Sequence, residues 1–105
     1  MNESISAALP LQHWQGDRGT YHLVTFAGAE AEALAAHAAM QRLELGRRRG
    51  FGSLKSDARI GETRWKTSLF PQHGQSEWVL LVGRKVMRAE GLAPGDEVDV
   101  SVTPV

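Results

Sequence analysis

The segment Gly91-Leu92-Ala93-Pro94-Gly95-Asp96-Glu97-Val98-Asp99-Val100 specifies more of the fold than any other part of this 105-residue chain. Gly91 can adopt the left-handed conformation that ends a helix, and Leu92 then provides the apolar contact of that cap. Pro94 fixes φ at the second position of a type II turn, and Gly95 supplies the positive φ that the third position requires. The segment therefore predicts a helix end, a tight turn and a terminal strand.

The terminal strand shows the alternation expected of a sheet with one buried face. Val98, Val100 and Val102 are separated by single polar residues, a period of two that places all three valines on the same side. We expect that side to face the core.

The same criteria, applied outward from this segment, give the order ββαβββαβ. The predicted strands are 5–14, 20–26, 52–60, 63–70, 78–82 and the terminal strand, and the predicted helices are 29–45 and 84–90. Pro10 indicates an edge or a bend in the first strand. Short connections favour a mainly β domain with two helices (α+β), spanning residues 1–105. We expect a small six-stranded, mostly antiparallel β-barrel or double-split barrel.

The long helix is alanine-rich, and its orientation must be read from few large residues. Met40 and Leu43 share a narrow side with two small residues, Ala33 and Ala36, which predicts that this side packs on the sheet. Gly46 is expected to end the helix.

Composition limits the chemistry. The chain has no cysteine, which excludes disulfides, thiol nucleophiles and cysteine-ligated metals. Its start lacks the basic and apolar parts of a secretory signal, and its longest apolar run, 78–82, is too short to span a bilayer. We therefore expect a cytoplasmic protein that has no membrane partner.

Charge is distributed unevenly although the net charge is zero. The part from Arg42 to Arg88 contains eleven basic and four acidic residues, so it carries +7 and the remainder carries −7. The asymmetry indicates either a basic face for an anionic partner or solvated side chains that meet opposite charges after folding.

Three consecutive arginines occur in Gly46-Arg47-Arg48-Arg49-Gly50-Phe51-Gly52. A phosphate-binding loop is excluded because it would follow a strand and begin a helix. An RNA-recognition strand matches only at its start, because Ser53 and Ser56 occupy positions where aromatic side chains should stack on bases. The arginines remain candidates for phosphate or carboxylate contacts, with a solvated basic loop as the alternative.

No catalytic or metal site emerges from the remaining polar residues. The four histidines, His13, His22, His37 and His73, lack metal-ligand spacing. The hydroxyls of Ser53, Thr67 and Ser68 have no recognisable base. The sequence thus predicts a non-catalytic protein without a cofactor.

Three tryptophans, Trp14, Trp65 and Trp78, are many for a chain of this size. Their ordinary role would be to fill the core. They could instead line a small-molecule pocket; its candidate residues are Tyr21, Trp65, Thr67, Ser68 and Trp78.

Three segments carry a resemblance to a known family: Gly50-Phe51-Gly52-Ser53, the run from Ile60 to Pro71, and Glu90-Gly91-Leu92 with Gly95-Asp96-Glu97-Val98. The chain resembles an uncharacterised bacterial domain-of-unknown-function family that also occurs N-terminal to YdeI/OmpD-associated domains. The resemblance implies a barrel-like β domain with one crossing helix and no known activity. Because the sequence stops at Val105, the partner domain of longer relatives is expected to be absent.

The last third is also similar to the swapped-hairpin half-barrels of AbrB and MazE-type regulators, which dimerise and bind DNA. Gly91-Leu92 and Pro94-Gly95-Asp96 match the regulator pattern. Leu81 stands where proline is usual, and Met87 where arginine is usual. The resemblance therefore implies the turn geometry, with a homodimer as an expectation to test.

These observations leave three hypotheses open. The first is binding of an anionic partner, nucleic acid foremost, through seven basic residues: Arg47, Arg48, Arg49, Lys55, Arg59, Arg64 and Lys66. The second is the tryptophan-lined pocket, with an undetected enzymatic activity included. The third is an interaction domain that offers an edge strand to another protein.

Overall fold

Seven antiparallel strands and two helices form the protein in a computed structural model that describes residues 3–45 and 52–105. The elements in chain order are β1 (Ile5–Pro10), β2 (Gln12–Gly16), β3 (Gly19–Phe26), α1 (Gly28–Leu45), β4 (Leu54–Ile60), β5 (Thr63–Gln72), β6 (Glu77–Val82), α2 (Arg84–Glu90) and β7 (Glu97–Pro104), with a short 3-10 turn at His73–Gln75 between β5 and β6. The predicted fold class is confirmed. The strand number is seven rather than six because the first predicted strand is divided at Leu11.

The sheet curls into a half-barrel. Its strand order is β1-β7-β4-β5-β6-β3-β2, so the two outermost strands are consecutive in the chain and separated only by Leu11. Leu11 is 1% exposed. Its N–H donates to the Asp96 carbonyl oxygen at 2.7 Å, and its own carbonyl accepts from the Gly95 N–H at 2.7 Å. The bend at Pro10 and Leu11 thus brings the two edges of the sheet together.

The C-terminal segment has the predicted conformation. Gly91 is left-handed (φ 63°, ψ 42°), and the Leu92 N–H donates to the Met87 carbonyl at 2.9 Å, which is the six-to-one bond of a Schellman cap. Gly95 has φ 93°, and the Asp96 N–H closes the turn onto the Ala93 carbonyl at 3.1 Å. The three valines of β7 are buried as expected.

The core lies between the concave side of the sheet and one side of α1. Trp78 and Phe26 are its largest fully buried side chains, and Leu34 enters it from the helix. The predicted apolar side of α1 is wrong, because Met40 is 55% and Leu43 80% exposed. Ala36 is also exposed, and of the four predicted residues Ala33 alone packs against the core. The side that packs on the core instead carries residues spaced i, i+3, i+4 and i+7: Ala31, Leu34, Ala35 and Ala38.

Candidate anion-binding face

The β4–β5 hairpin places four of the predicted basic residues on one face. Along β4 every second residue is buried, which turns Lys55 and Arg59 outward. The hairpin register pairs Arg59 with Arg64 and Asp57 with Lys66, so the two basic residues of β5 project from the same side. We call Lys55, Arg59, Arg64 and Lys66 the basic face.

None of these four charges forms an ion pair within 4.0 Å among the described side chains, although Asp57 lies on the same face and opposite Lys66. Among the side chains of residues 3–43 and 52–105 the single ion pair is His73–Glu77, with 3.6 Å between Nε2 and Oε1. Arg59 and Arg64 lie directly opposite each other, an arrangement that repels across strands. Arg59 donates its Nε–H to the Gly61 carbonyl at 2.8 Å, which leaves the rest of its guanidinium free to contact an anion. Asp57 and Lys66 are cross-strand neighbours of opposite charge, so the alternative of charges that meet after folding applies to this pair but not to Arg59 and Arg64.

Hydroxyl groups flank the basic face on the neighbouring strands. A groove of about 520 Å³ is lined by Arg59, Arg64 and Lys66 together with Ser4, Ser101 and Thr103, and it also includes one acidic residue, Asp57. The hydroxyls form a ladder between the N-terminal segment and β7, with 2.7 Å between Ser4 Oγ and Thr103 Oγ1. Arginine, lysine and hydroxyl groups are the side chains that contact nucleic-acid phosphates.

Helix α2 contacts the turn of this hairpin through Glu90. The Thr63 hydroxyl donates to Glu90 Oε2 at 2.6 Å, and the Glu90 carboxyl group lies over Gly61 so closely that a Cβ there would be 2.8 Å from Glu90 Cδ. This role of Glu90 has no signal in the sequence, since no local pattern connects it with residues 27 or more positions earlier. Glu90 fixes the position of the end of the hairpin that carries Arg59 and Arg64.

The remaining predicted site residues are placed as follows. Arg47, Arg48 and Arg49 lie outside the described residues. Two of the five candidate pocket residues, Tyr21 and Ser68, are on the outer side of the sheet, and the other three, Trp65, Thr67 and Trp78, are on the inner side. Thr67 and Ser68 both line a groove next to Val105, but Tyr21, Trp65 and Trp78 are not among its lining residues, so the five do not line one cavity.

The tryptophans divide between core and surface. Trp78 is fully buried and Trp65 half-buried. Trp14 is 59% exposed, so its predicted role in the core is wrong. It stacks on Tyr21 with 5.7 Å between ring centroids and an interplanar angle of 29°. The reason is register: Trp14 is paired with Tyr21 on the outer side of the β2–β3 ribbon.

The described part of the chain offers no group of three or more histidine, aspartate or glutamate side chains that could hold a metal ion. In the same part, no helix combines the length and the apolar character needed to cross a membrane.

Comparison with known proteins places the chain in a family. No curated protein matches it. The family model described as Domain of unknown function (DUF1905) matches residues 9–102, which include both the half-barrel strands from β2 onward and the basic face. The chain belongs to the DUF1905 family.

Proposed function

We propose that the protein is a non-catalytic binding module that holds a polyanion, nucleic acid foremost, on its basic face. One observation carries the proposal: four basic side chains project from one side of one hairpin, and none has a carboxylate oxygen within 4.0 Å among the described residues. The arginines at 47, 48 and 49 precede β4 in sequence and are included in the proposal as further phosphate contacts. We further propose that the protein is bacterial and cytoplasmic.

The spacing of the charges favours a polymer over a single small anion. Lys55 and Arg59 are four residues apart on one strand, a separation of about 13 Å at the rise of an extended chain. A nucleic-acid strand in a duplex carries one phosphate per roughly 3.4 Å of axis, so this distance spans several phosphates.

The resemblance of the C-terminal third to AbrB and MazE-type regulators supports nucleic acid among the polyanions. The Schellman cap and type II turn of that pattern are present at Gly91 and Gly95. Met87 replaces the arginine usual in those proteins, so this proposal assigns phosphate contacts to the hairpin and not to α2. The association of longer relatives with YdeI/OmpD-associated domains is compatible with a binding role and is part of the proposal.

A salt titration of nucleic-acid binding tests the proposal. Anisotropy of a labelled single-stranded oligonucleotide should report binding at low salt, with log K falling linearly as log salt rises. The double variant Arg59→Gln/Arg64→Gln removes two phosphate contacts, so the slope should become shallower by about 1.4 at roughly 0.7 per contact.

The control is Arg84→Gln/Lys85→Gln, which makes the same charge change at two exposed positions of α2. It should leave the slope close to that of the wild type. Absence of salt-sensitive binding at low ionic strength contradicts the proposal, and so does an equal loss in both double variants.

A further inference from the structure

The outer side of the sheet carries a second surface that the basic face does not include. Six apolar side chains project from β2, β3, β6 and the end of β5: Trp14, Tyr21, Leu23, Phe70, Val79 and Leu81. The register pairs them as direct neighbours, Trp14 with Tyr21, Leu23 with Leu81 and Phe70 with Val79. We call these six residues the outer apolar patch; it runs diagonally across four strands.

Large side chains in this patch are exposed and held in place. Trp14 is 59% exposed, Leu81 41%, and Tyr21 and Phe70 39% each. The Trp14 ring stacks on Tyr21 and covers Gly16, where a Cβ would be 2.6 Å from the ring. A contiguous apolar patch marks an interaction site, and aromatic rings held before binding lose little conformational entropy on contact.

We propose that the outer apolar patch is the interface of a symmetric homodimer in which two sheets pack face to face. Four side chains of the patch are the most accessible: Trp14, Tyr21, Phe70 and Leu81. A whole aromatic side chain has about 150–250 Å² of surface, so the exposed fractions of these four amount to about 400 Å². A stable interface buries about 800 Å² per partner, of which somewhat more than half is apolar, or about 450–500 Å². With Leu23 and Val79 included, one copy supplies the apolar area that a stable dimer needs.

The charged residues at the two ends of the patch are complementary to those of a second copy of the chain. The patch itself has no charged side chain, but Glu77 precedes it on β6 and Arg84 follows it at the start of α2. A two-fold axis that lies between the packed sheets and runs across the strands through the centre of the patch reverses β6 of the second copy end for end. The Glu77 end of each copy then faces the Arg84 end of the other, which gives complementary charges at both rims.

The dimer leaves most of the basic face open. The patch and the basic face adjoin at one point, because Lys55 lies opposite Ser68, two residues from Phe70. The rest of the basic face extends away from the patch, with Lys66 about 13 Å from Phe70 on β5. The dimer therefore presents two basic faces, but its formation does not depend on nucleic-acid binding.

Sedimentation velocity of the full chain tests this proposal with a matched pair of variants. In a protein concentration series that reaches about 500 µM, the wild type should have twice the 11.5 kDa mass of one chain. That concentration is well above the µM dissociation constants of weak interfaces of this size. Leu81→Lys places a charge at the centre of the patch and should return the mass to that of one chain. Leu43→Lys makes the same change at an exposed leucine of α1 and should remain dimeric.

Circular dichroism and thermal unfolding establish that the variants are folded. If Leu81→Lys does not fold, Trp14→Ala removes the most exposed ring and should also give a single-chain mass. The proposal is overturned by a wild type that stays at single-chain mass throughout the series, which would leave a different protein as occupant of the patch. It is equally overturned if folded Leu81→Lys and Trp14→Ala both remain dimeric, or if Leu43→Lys dissociates the dimer.

Discussion

Replacing Gly61 with alanine should destabilise the protein by about 2 kcal/mol, from two separable causes. Gly61 has φ 60°, and a left-handed alanine costs roughly 1–2 kcal/mol, less the 0.4–1 kcal/mol that alanine recovers by restricting the unfolded chain. The backbone part is therefore about 1 kcal/mol. The new Cβ would also collide with the Glu90 carboxyl group. That group must then move away from the Thr63 hydroxyl, and losing a half-buried hydrogen bond costs about 1 kcal/mol more.

Urea denaturation of four proteins isolates the second cause in a double-mutant cycle: wild type, Gly61→Ala, Glu90→Ala and the double variant. Without Glu90, Gly61→Ala should cost only its backbone part, which predicts a coupling free energy of about 1 kcal/mol. Gly74→Ala is the matched control, because Gly74 has φ 65° and a Cβ there meets nothing within 4 Å; it should cost about 1 kcal/mol. Additive effects of Gly61→Ala and Glu90→Ala would refute the account of how α2 positions the basic hairpin.

Three further predictions concern the core, each measured by denaturant unfolding. Leu11→Ala should cost about 2–5 kcal/mol, because Leu11 is buried where the sheet edges meet; a loss under 1 kcal/mol would contradict its role in closing the sheet. Trp78→Phe should fall within about 1 kcal/mol of the wild type, because the buried indole N–H has no hydrogen-bond partner among the described residues. Removal of this unpaired N–H then offsets the cost of the lost volume. A loss above 3 kcal/mol would indicate that the N–H is satisfied. Leu34→Ala should cost about 2–5 kcal/mol and Leu43→Ala less than about 0.5 kcal/mol, because Leu34 lies on the side of α1 that packs on the core and Leu43 does not. A larger loss for Leu43→Ala than for Leu34→Ala would show that the side predicted from sequence is the buried one.

Features governed by local conformation could be predicted from sequence. The cap at Gly91 and the turn at Gly95 depend on backbone geometry that glycine alone adopts easily, so their positions follow from residue type. The basic face follows as well once the two-residue turn between Ile60 and Thr63 is placed. That turn sets the register, and the register puts Arg59 opposite Arg64.

Features governed by distant contacts could not be predicted. Alanines occur all around α1, so its periodicity hardly distinguishes one side from another, and the sheet determines which side is buried. The segment from Gln12 to Gly16 has no apolar alternation, which leaves the side of the sheet occupied by Trp14 undetermined. The hydrogen bond between Thr63 and Glu90 joins residues 27 positions apart, so no local pattern in the sequence indicates it.

A nuclear magnetic resonance titration with a short single-stranded oligonucleotide at low salt tests the central claim most directly. Binding at the basic face predicts amide shift changes concentrated in β4, the first half of β5 and the adjoining part of β7, with α2 unchanged. Shift changes confined to α2 or to the exposed side of α1, or a spectrum that does not change at all, would contradict the claim that this hairpin binds a polyanion.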